Sequence, residues 1–232
     1  GFGEATVGNF GLLNFSGATS ISAIEQTLVF RVTGFSSQRD GYVDDIKLGS
    51  NRIYDRDRWG ARLQALYTPT DFVTVRIITD YSELDEVCCA ALVVQDNLRP
   101  VALPAGATAY AGTDEVVRAL GGTIFTSDQF YDYKTAQNFL PVTENEDGGI
   151  SVTVQWDLEA FSLTSITAYR SFDSYDKADI DASDLDSLNS AATADQSALS
   201  QELRISHEGE RLSYIAGLYY FGQDLNNYSI IE

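Results

Sequence analysis

The chain of 232 residues has no methionine, one histidine, two cysteines and only 15 basic residues against 34 acidic ones. Each shortage closes a class of function. A formal net charge of -19 repels phosphate backbones, which excludes nucleic acid as a partner and suits the acidic loops to cations or cationic ligands. The lone His207 and the adjacent Cys88 and Cys89 do not make a zinc site. No apolar run approaches the ~18 residues of a membrane-spanning helix, so any crossing of a bilayer has to be made by strands. The amino terminus lacks a basic region followed by an apolar core. With no initiator Met either, the chain is expected to begin part-way through an architecture.

What is present is alternation. Trp59, Ala61, Leu63, Ala65 and Tyr67 share one face with Arg58, Arg62 and Gln64 on the other; after Pro69-Thr70-Asp71 the pattern resumes, with Val73, Val75 and Ile77 opposite Thr74 and Arg76. Period two on both sides of a tight turn predicts a hairpin. The same pattern predicts hairpins of residues 4–16 with 25–37 through Ser20-Ile21-Ser22, of 150–158 with 161–175, and of 199–206 with 212–224. Short turns alternate with long acidic connections rich in aromatics.

That asymmetry predicts an all-β fold: a segment of about eight antiparallel up-and-down strands from a transmembrane β-barrel, incomplete as a barrel. Residues 1–232 form one partial barrel domain, with residues 83–147 as a long extracellular loop. Within that loop, residues 113–121 read as one short helix, with Thr113 as cap, acids in the first turn and Gly121 as stop. Trp59, Tyr67, Tyr81, Trp156, Phe161, Tyr169, Phe172 and Tyr175 are expected as interfacial girdles.

The candidate functional residues fall into three groups. Arg31, Arg62, Arg76, Arg170, Glu202 and Arg204 lie on polar strand faces, where a barrel would turn them to its lumen, because a charge facing lipid at mid-depth costs about 2–4 kcal/mol. Tyr42, Asp44, Tyr54, Tyr110, Phe130, Tyr131 and Tyr133 lie on the long loops and are candidate ligand contacts, since rings bury area with few rotors to freeze. The same rings can equally pack a loop against itself as an ordered lid. In the acidic run after Tyr175, Asp179, Asp181 and Asp184 form a weak calcium candidate; the glycine of a helix-loop-helix site is absent, which favours a solvated acidic loop tip. Cys88 and Cys89 are a possible disulfide if the adjacent pair adopts an unusual turn; free thiols, or partners elsewhere in a longer chain, are the alternatives. No Ser is framed by glycines as a nucleophile elbow requires, so neither catalytic residues nor a cofactor is expected.

Several stretches carry a family likeness: Arg31-Val32-Thr33-Gly34-Phe35, Arg39-Asp40-Gly41-Tyr42-Val43, residues 57–65, Leu163-Thr164-Ser165-Ile166-Thr167-Ala168-Tyr169-Arg170, Ser200-Gln201-Glu202-Leu203-Arg204-Ile205 and Ala216-Gly217-Leu218-Tyr219-Tyr220-Phe221. In this order they resemble the barrel strands of TonB-dependent outer-membrane receptors. The resemblance implies a bacterial outer-membrane protein, surrounded by lipid and lipopolysaccharide. Its small-molecule ligand would be a ferric siderophore, another metal chelate or an oligosaccharide. It also implies energy from the TonB inner-membrane complex acting through an amino-terminal plug. Neither the plug nor a terminal aromatic strand of that family is visible in the chain, which is expected to be a fragment of the barrel domain. Two rivals stand beside it: a small complete outer-membrane barrel, for which the 83–147 loop is disproportionate, and a secreted lectin-like or adhesive β-sandwich.

Overall fold

The structure, a computed structural model, describes residues 1–92 and 113–232. Strands dominate because alternating apolar and polar residues give each segment two chemically different faces. In chain order they are β1 (Phe2–Val7), β2 (Leu13–Ile24), β3 (Leu28–Arg39), β4 (Val43–Asp45), β5 (Gly49–Ile53), β6 (Arg56–Thr70), β7 (Val73–Glu86), β8 (Lys134–Thr135), β9 (Val142–Asp157), β10 (Ser162–Asp179), β11 (Asn189–His207) and β12 (Tyr214–Ile231). One short helix, α1 (Thr113–Ala119), and a 3-10 turn at Ser127–Asp132 lie between β7 and β8.

Nine strands form one antiparallel sheet in the order β1-β2-β3-β6-β7-β9-β10-β11-β12. Neighbours in this sheet are successive long strands, which is the up-and-down order. β1 and β12 are its two edges, so the sheet is open. The connections at residues 25–27, 71–72, 158–161 and 208–213 lie at one end, and those at 8–12, 40–55, 87–141 and 180–188 at the other.

The nine strands match the expected open, antiparallel up-and-down segment of about eight, but its turns need correction: Ser20-Ile21-Ser22 lies inside β2 rather than in a turn. The predicted first strand is instead β1, a tight turn and the start of β2. The reason is that each local turn places a non-glycine residue that rarely adopts positive φ in the left-handed region. Phe10 (φ 58°) and Gly11 (φ 65°) make the first, and Gln26 (φ 58°) takes the left-handed position of the second. Strict alternation of short and long connections therefore fails at residues 8–12, which are short but sit at the long-loop end. The largest loop is also narrower than 83–147, because β7 continues to Glu86 and pairs with Thr143 of β9.

Directly paired residues on antiparallel strands point to the same side, so the register assigns every side chain to a face. One face carries Val32, Leu63, Ile77, Val152, Ile150, Leu199, Leu203 and Leu218. It also carries Trp59, Tyr67, Tyr81, Trp156, Tyr169 and Tyr175. Phe172 of the expected girdle is on the opposite face, paired with Asp147 and Gln196, and Phe161 lies in a turn. In β7 the apolar band runs from Val73 to Tyr81, close to the ~9–11 residues of a tilted membrane strand. Beyond it, Glu83, Glu146, Asp173 and Asp195 follow one another across four strands. Ser165, Thr167 and Gln201 interrupt the band and bond one another, at 3.1 Å from Gln201 Nε2 to Ser165 Oγ and 2.5 Å from Thr167 Oγ1 to Gln201 Oε1.

No second layer covers the apolar face among the described residues: Ile150 is 46% exposed, Leu203 49% and Leu218 76%. A sandwich would bury these side chains against a second sheet. The only other sheet among the described residues, β5-β4-β8, is three short strands within the long loops.

Candidate functional site

The described parts of the long loops fold into one cap rather than separate tips. Its centre is the small sheet, in which β4 pairs antiparallel with β5 and parallel with β8, so loop 40–55 and loop 87–141 share hydrogen bonds. Val43, Ile53 and Ala90 form its apolar core, with Tyr54, Val87, Leu92 and Leu140 packed around it. Asp45 is the polar hub. Only 2% exposed, it accepts the backbone N–H of Lys47 and Leu48 on Oδ1 and that of Gln137 on Oδ2, each at 2.8 Å. Asp55 accepts Val87 N–H at 2.6 Å, and Tyr54 donates its hydroxyl to Ala90 O at 2.7 Å. Gly41 is required by close approach, because a Cβ there would stand 2.3 Å from Ile53 O. Loop 180–188 joins through Asp184, which pairs with Lys47 at 3.0 Å and accepts Thr123 N–H at 2.5 Å. Those contacts, the Thr123 amide first, hold the Asp184 carboxyl below the usual range.

An aromatic cluster lies at the edge of this cap. Tyr42 stacks on Tyr54 at 5.3 Å and meets Tyr133 edge-on at 6.1 Å, with Phe10 6.4 Å away. Burial, then the nearby Tyr42, pushes the Tyr54 phenol above its usual pKa. The Arg39 guanidinium lies 5.3 Å from the Tyr42 ring centre and donates to Tyr54 O at 2.6 Å. Arg39 pairs in register with Arg56, and the Nε of each is buried with no hydrogen-bond partner among the described residues. Both arginines share the polar face. Next along it, Arg58 makes a two-pronged contact with Glu86, at 2.7 Å for each prong.

Of the predicted ligand contacts, Tyr42, Tyr54 and Tyr133 come together, whereas Phe130 and Tyr131 form a separate edge-on pair at 5.1 Å. Asp44 spends its Oδ1 on Asn51 N–H at 2.7 Å. Tyr110 lies outside the described residues. Arg39, Arg56 and Phe10 were missed by the sequence reading; the arginines were findable as the charges nearest the loops on the polar faces of β3 and β6.

Arg31, Arg62, Arg76, Arg170, Glu202 and Arg204 all share the polar face. Asp80 bridges two of them, at 3.7 Å from Arg62 and 3.0 Å from Arg170, and Arg170 also contacts Asp147. Glu202 pairs with Arg204 at 2.8 Å, and Arg31 donates to Ser20 Oγ at 3.1 Å. Cys88 and Cys89 are joined in a disulfide across a cis peptide bond. Asp179, Asp181 and Asp184 do not converge on one point. Asp184 is held by Lys47 and Thr123, and Asp181 accepts Ser183, Ser187 and Leu188 N–H. Among the described residues, no three His, Cys, Asp or Glu side chains stand where they could hold an ion. His207 sits at the short-turn end, its Nδ1 2.5 Å from Ala160 O.

No protein-family model matches the chain, and no curated protein does. Solved structures do. The ferric yersiniabactin uptake receptor FyuA from Yersinia pestis superposes on 99% of the chain with a TM-score of 0.70 and 12% identity. The chain has the fold of a segment of a TonB-dependent receptor barrel. The siderophore receptor PiuA from Acinetobacter baumannii matches 97% of the chain with a TM-score of 0.64, again at 12% identity. The chain spans 31% of the length of FyuA and 30% of PiuA.

Asp45→Ala removes the acceptor of three backbone amides and is expected to cost about 2–4 kcal/mol of cap stability, given that hydrogen bonds to charged groups are worth ~1.5–3 kcal/mol each and do not add fully. Amide hydrogen exchange should then accelerate at residues 43–54 and 134–137 while β9 to β11 stay protected. Unchanged exchange in the cap would remove Asp45 from its central place.

Proposed function

We propose that the chain is part of the wall of an outer-membrane transporter, with its apolar face in lipid and its polar face lining a plugged lumen, and that its cap captures an anionic metal chelate. The observation that carries this reading is the juxtaposition of Arg39 and Arg56 with the Tyr42, Tyr54 and Tyr133 rings. In a chain of net charge -19, these half-buried cations mark a local site for negative charge, and their Nε atoms are donors without acceptors among the described residues. Guanidinium groups suit planar carboxylate or catecholate oxygens, and the stacked rings suit an aromatic chelator. Such groups are what a ferric siderophore presents. A neutral oligosaccharide would use the rings but leave the arginines unmatched, so the chelate reading is preferred.

The rest of the cycle follows from the fold's relatives. Import would be driven by the TonB complex pulling on a plug, with Arg62, Asp80, Asp147 and Arg170 as the wall's ionic surface towards that plug. The open edges of β1 and β12 would be paired in the membrane by further strands, since hydrocarbon leaves unpaired N–H and C=O groups unsatisfied. Lipid and lipopolysaccharide would surround the outer face, and the work done is capture and transport rather than catalysis.

Two outcomes are expected. With the chain in detergent micelles, calorimetry should show a ferric tris-catecholate binding more tightly than an uncharged oligosaccharide. Arg39→Ala and Arg56→Ala should each weaken it about tenfold, in line with ~1.5–3 kcal/mol for a charged hydrogen bond. Equal affinity for the two probes, or none lost in either variant, would reject the chelate site. Separately, Ile77→Arg should cost about 2–4 kcal/mol in folding titrations with lipid vesicles, whereas Thr153→Arg on the opposite face should cost under about 1 kcal/mol. Equal costs would contradict the assignment of faces.

A further inference from the structure

Where loop 180–188 joins the cap, three buried side-chain oxygens have no hydrogen-bond partner among the described residues: Asp179 Oδ2, Asn138 Oδ1 and Asn189 Oδ1. Asp179 is 2% exposed, so its free carboxylate oxygen is cut off from bulk water. A buried anionic oxygen left without a partner is costly, and native structures supply such atoms with a proton, a water or a cation.

The three residues belong to one place. Asp179 and Asn189 are paired in register at the last rung between β10 and β11 and so point to the same side. Asn138 reaches the same spot from loop 87–141, its backbone amide lying beside the Asp179 carboxylate. The side chains of Asn138 and Asn189 both donate Nδ2 to Asp186 Oδ1, at 2.9 and 2.6 Å. Because an ionised carboxylate only accepts, this shared partner fixes both amides: nitrogen towards Asp186, oxygen away from it. The other Asp179 oxygen is occupied, accepting Asp181 and Ala182 N–H at 3.1 and 3.3 Å. Lys177, on the same face of β10, lies over the Phe139 ring at 4.4 Å.

We propose that Asp179 Oδ2, Asn138 Oδ1 and Asn189 Oδ1 form a calcium site that ties loop 180–188 to the cap. A carboxylate with neutral amide oxygens is a hard-oxygen set, and calcium accepts six to eight such ligands in flexible geometry, water completing the shell. Magnesium demands a near-ideal octahedron and gives up its waters reluctantly, so it fits less well. The site differs from the one suggested by the Asp179, Asp181 and Asp184 spacing, because Asp181 and Asp184 are already engaged and the new ligands come from Asn138 and Asn189. With one directly binding carboxylate, its affinity falls in the ~0.1–1 mM range of extracellular modules. It stands independently of the transport reading.

The test is calcium chloride titrated into the chain in detergent micelles at fixed ionic strength, followed by calorimetry and by amide exchange at residues 180–188. Saturable binding below a few mM is expected, with exchange there slowed about tenfold and magnesium much weaker. Asp179→Asn, which keeps an acceptor for the Asp181 and Ala182 amides and so preserves the loop, should lose at least tenfold in affinity. Asn189→Ala should do the same from the opposite strand, while Asp71→Asn at the short-turn end should bind as the parent does. Absence of saturable binding up to about 10 mM would overturn the site, leaving buried water on the three oxygens. Binding that survives in Asp179→Asn and Asn189→Ala alike would overturn it too, placing the ion on the general acidic surface.

Discussion

The antiparallel hydrogen-bond ladder from β1 to β12 is what the rest of the molecule depends on. It satisfies the backbone without help from either face, so one face can be left apolar and uncovered. In water that face would drive aggregation; in a bilayer it becomes the surface that makes insertion favourable. The same ladder fixes which charges face the other way. A register slip of one residue would move Arg62, Asp80 and Arg170 to the apolar side, so their mutual ion pairing and the outer apolar band enforce a single register.

Strand length connects this wall to the cap. β10 and β11 are 18 and 19 residues long, well beyond the ~9–11 needed to cross hydrocarbon, so the sheet continues past the apolar band and carries the loops with it. The band ends where Glu83, Glu146, Asp173 and Asp195 begin. Past that line the loops have a core of their own, which Val43, Ile53 and Ala90 provide around the buried Asp45. A cap held this way keeps the Tyr42 cluster and the Arg39 and Arg56 pair in fixed relation to the polar face.

Most of the wall was legible because period two needs no tertiary information: Trp59 to Tyr67 and Val73 to Ile77 declare their faces unaided. The turn at residue 26 was not, since Gln26 adopts a positive φ without the Gly or Asn that normally signals it, and Ser20-Ile21-Ser22 imitates a turn inside a strand. The cap was legible only as a store of aromatics. β4 and β8 are three and two residues long and meet across about 90 positions, a pairing that no local pattern can announce. For the same reason no local pattern announced that the Asp44 carboxylate accepts the Asn51 amide.

The measurement that bears most directly on the central claim uses the chain's two tryptophans, Trp59 and Trp156, both on the apolar face. Fluorescence of the vesicle-inserted chain would be recorded with lipids brominated along the acyl chain and, separately, with acrylamide in the water. An apolar face in lipid predicts strong quenching by the brominated chains and weak quenching by acrylamide. The reverse pattern would place that face in water and contradict the reading of this sheet as a membrane wall.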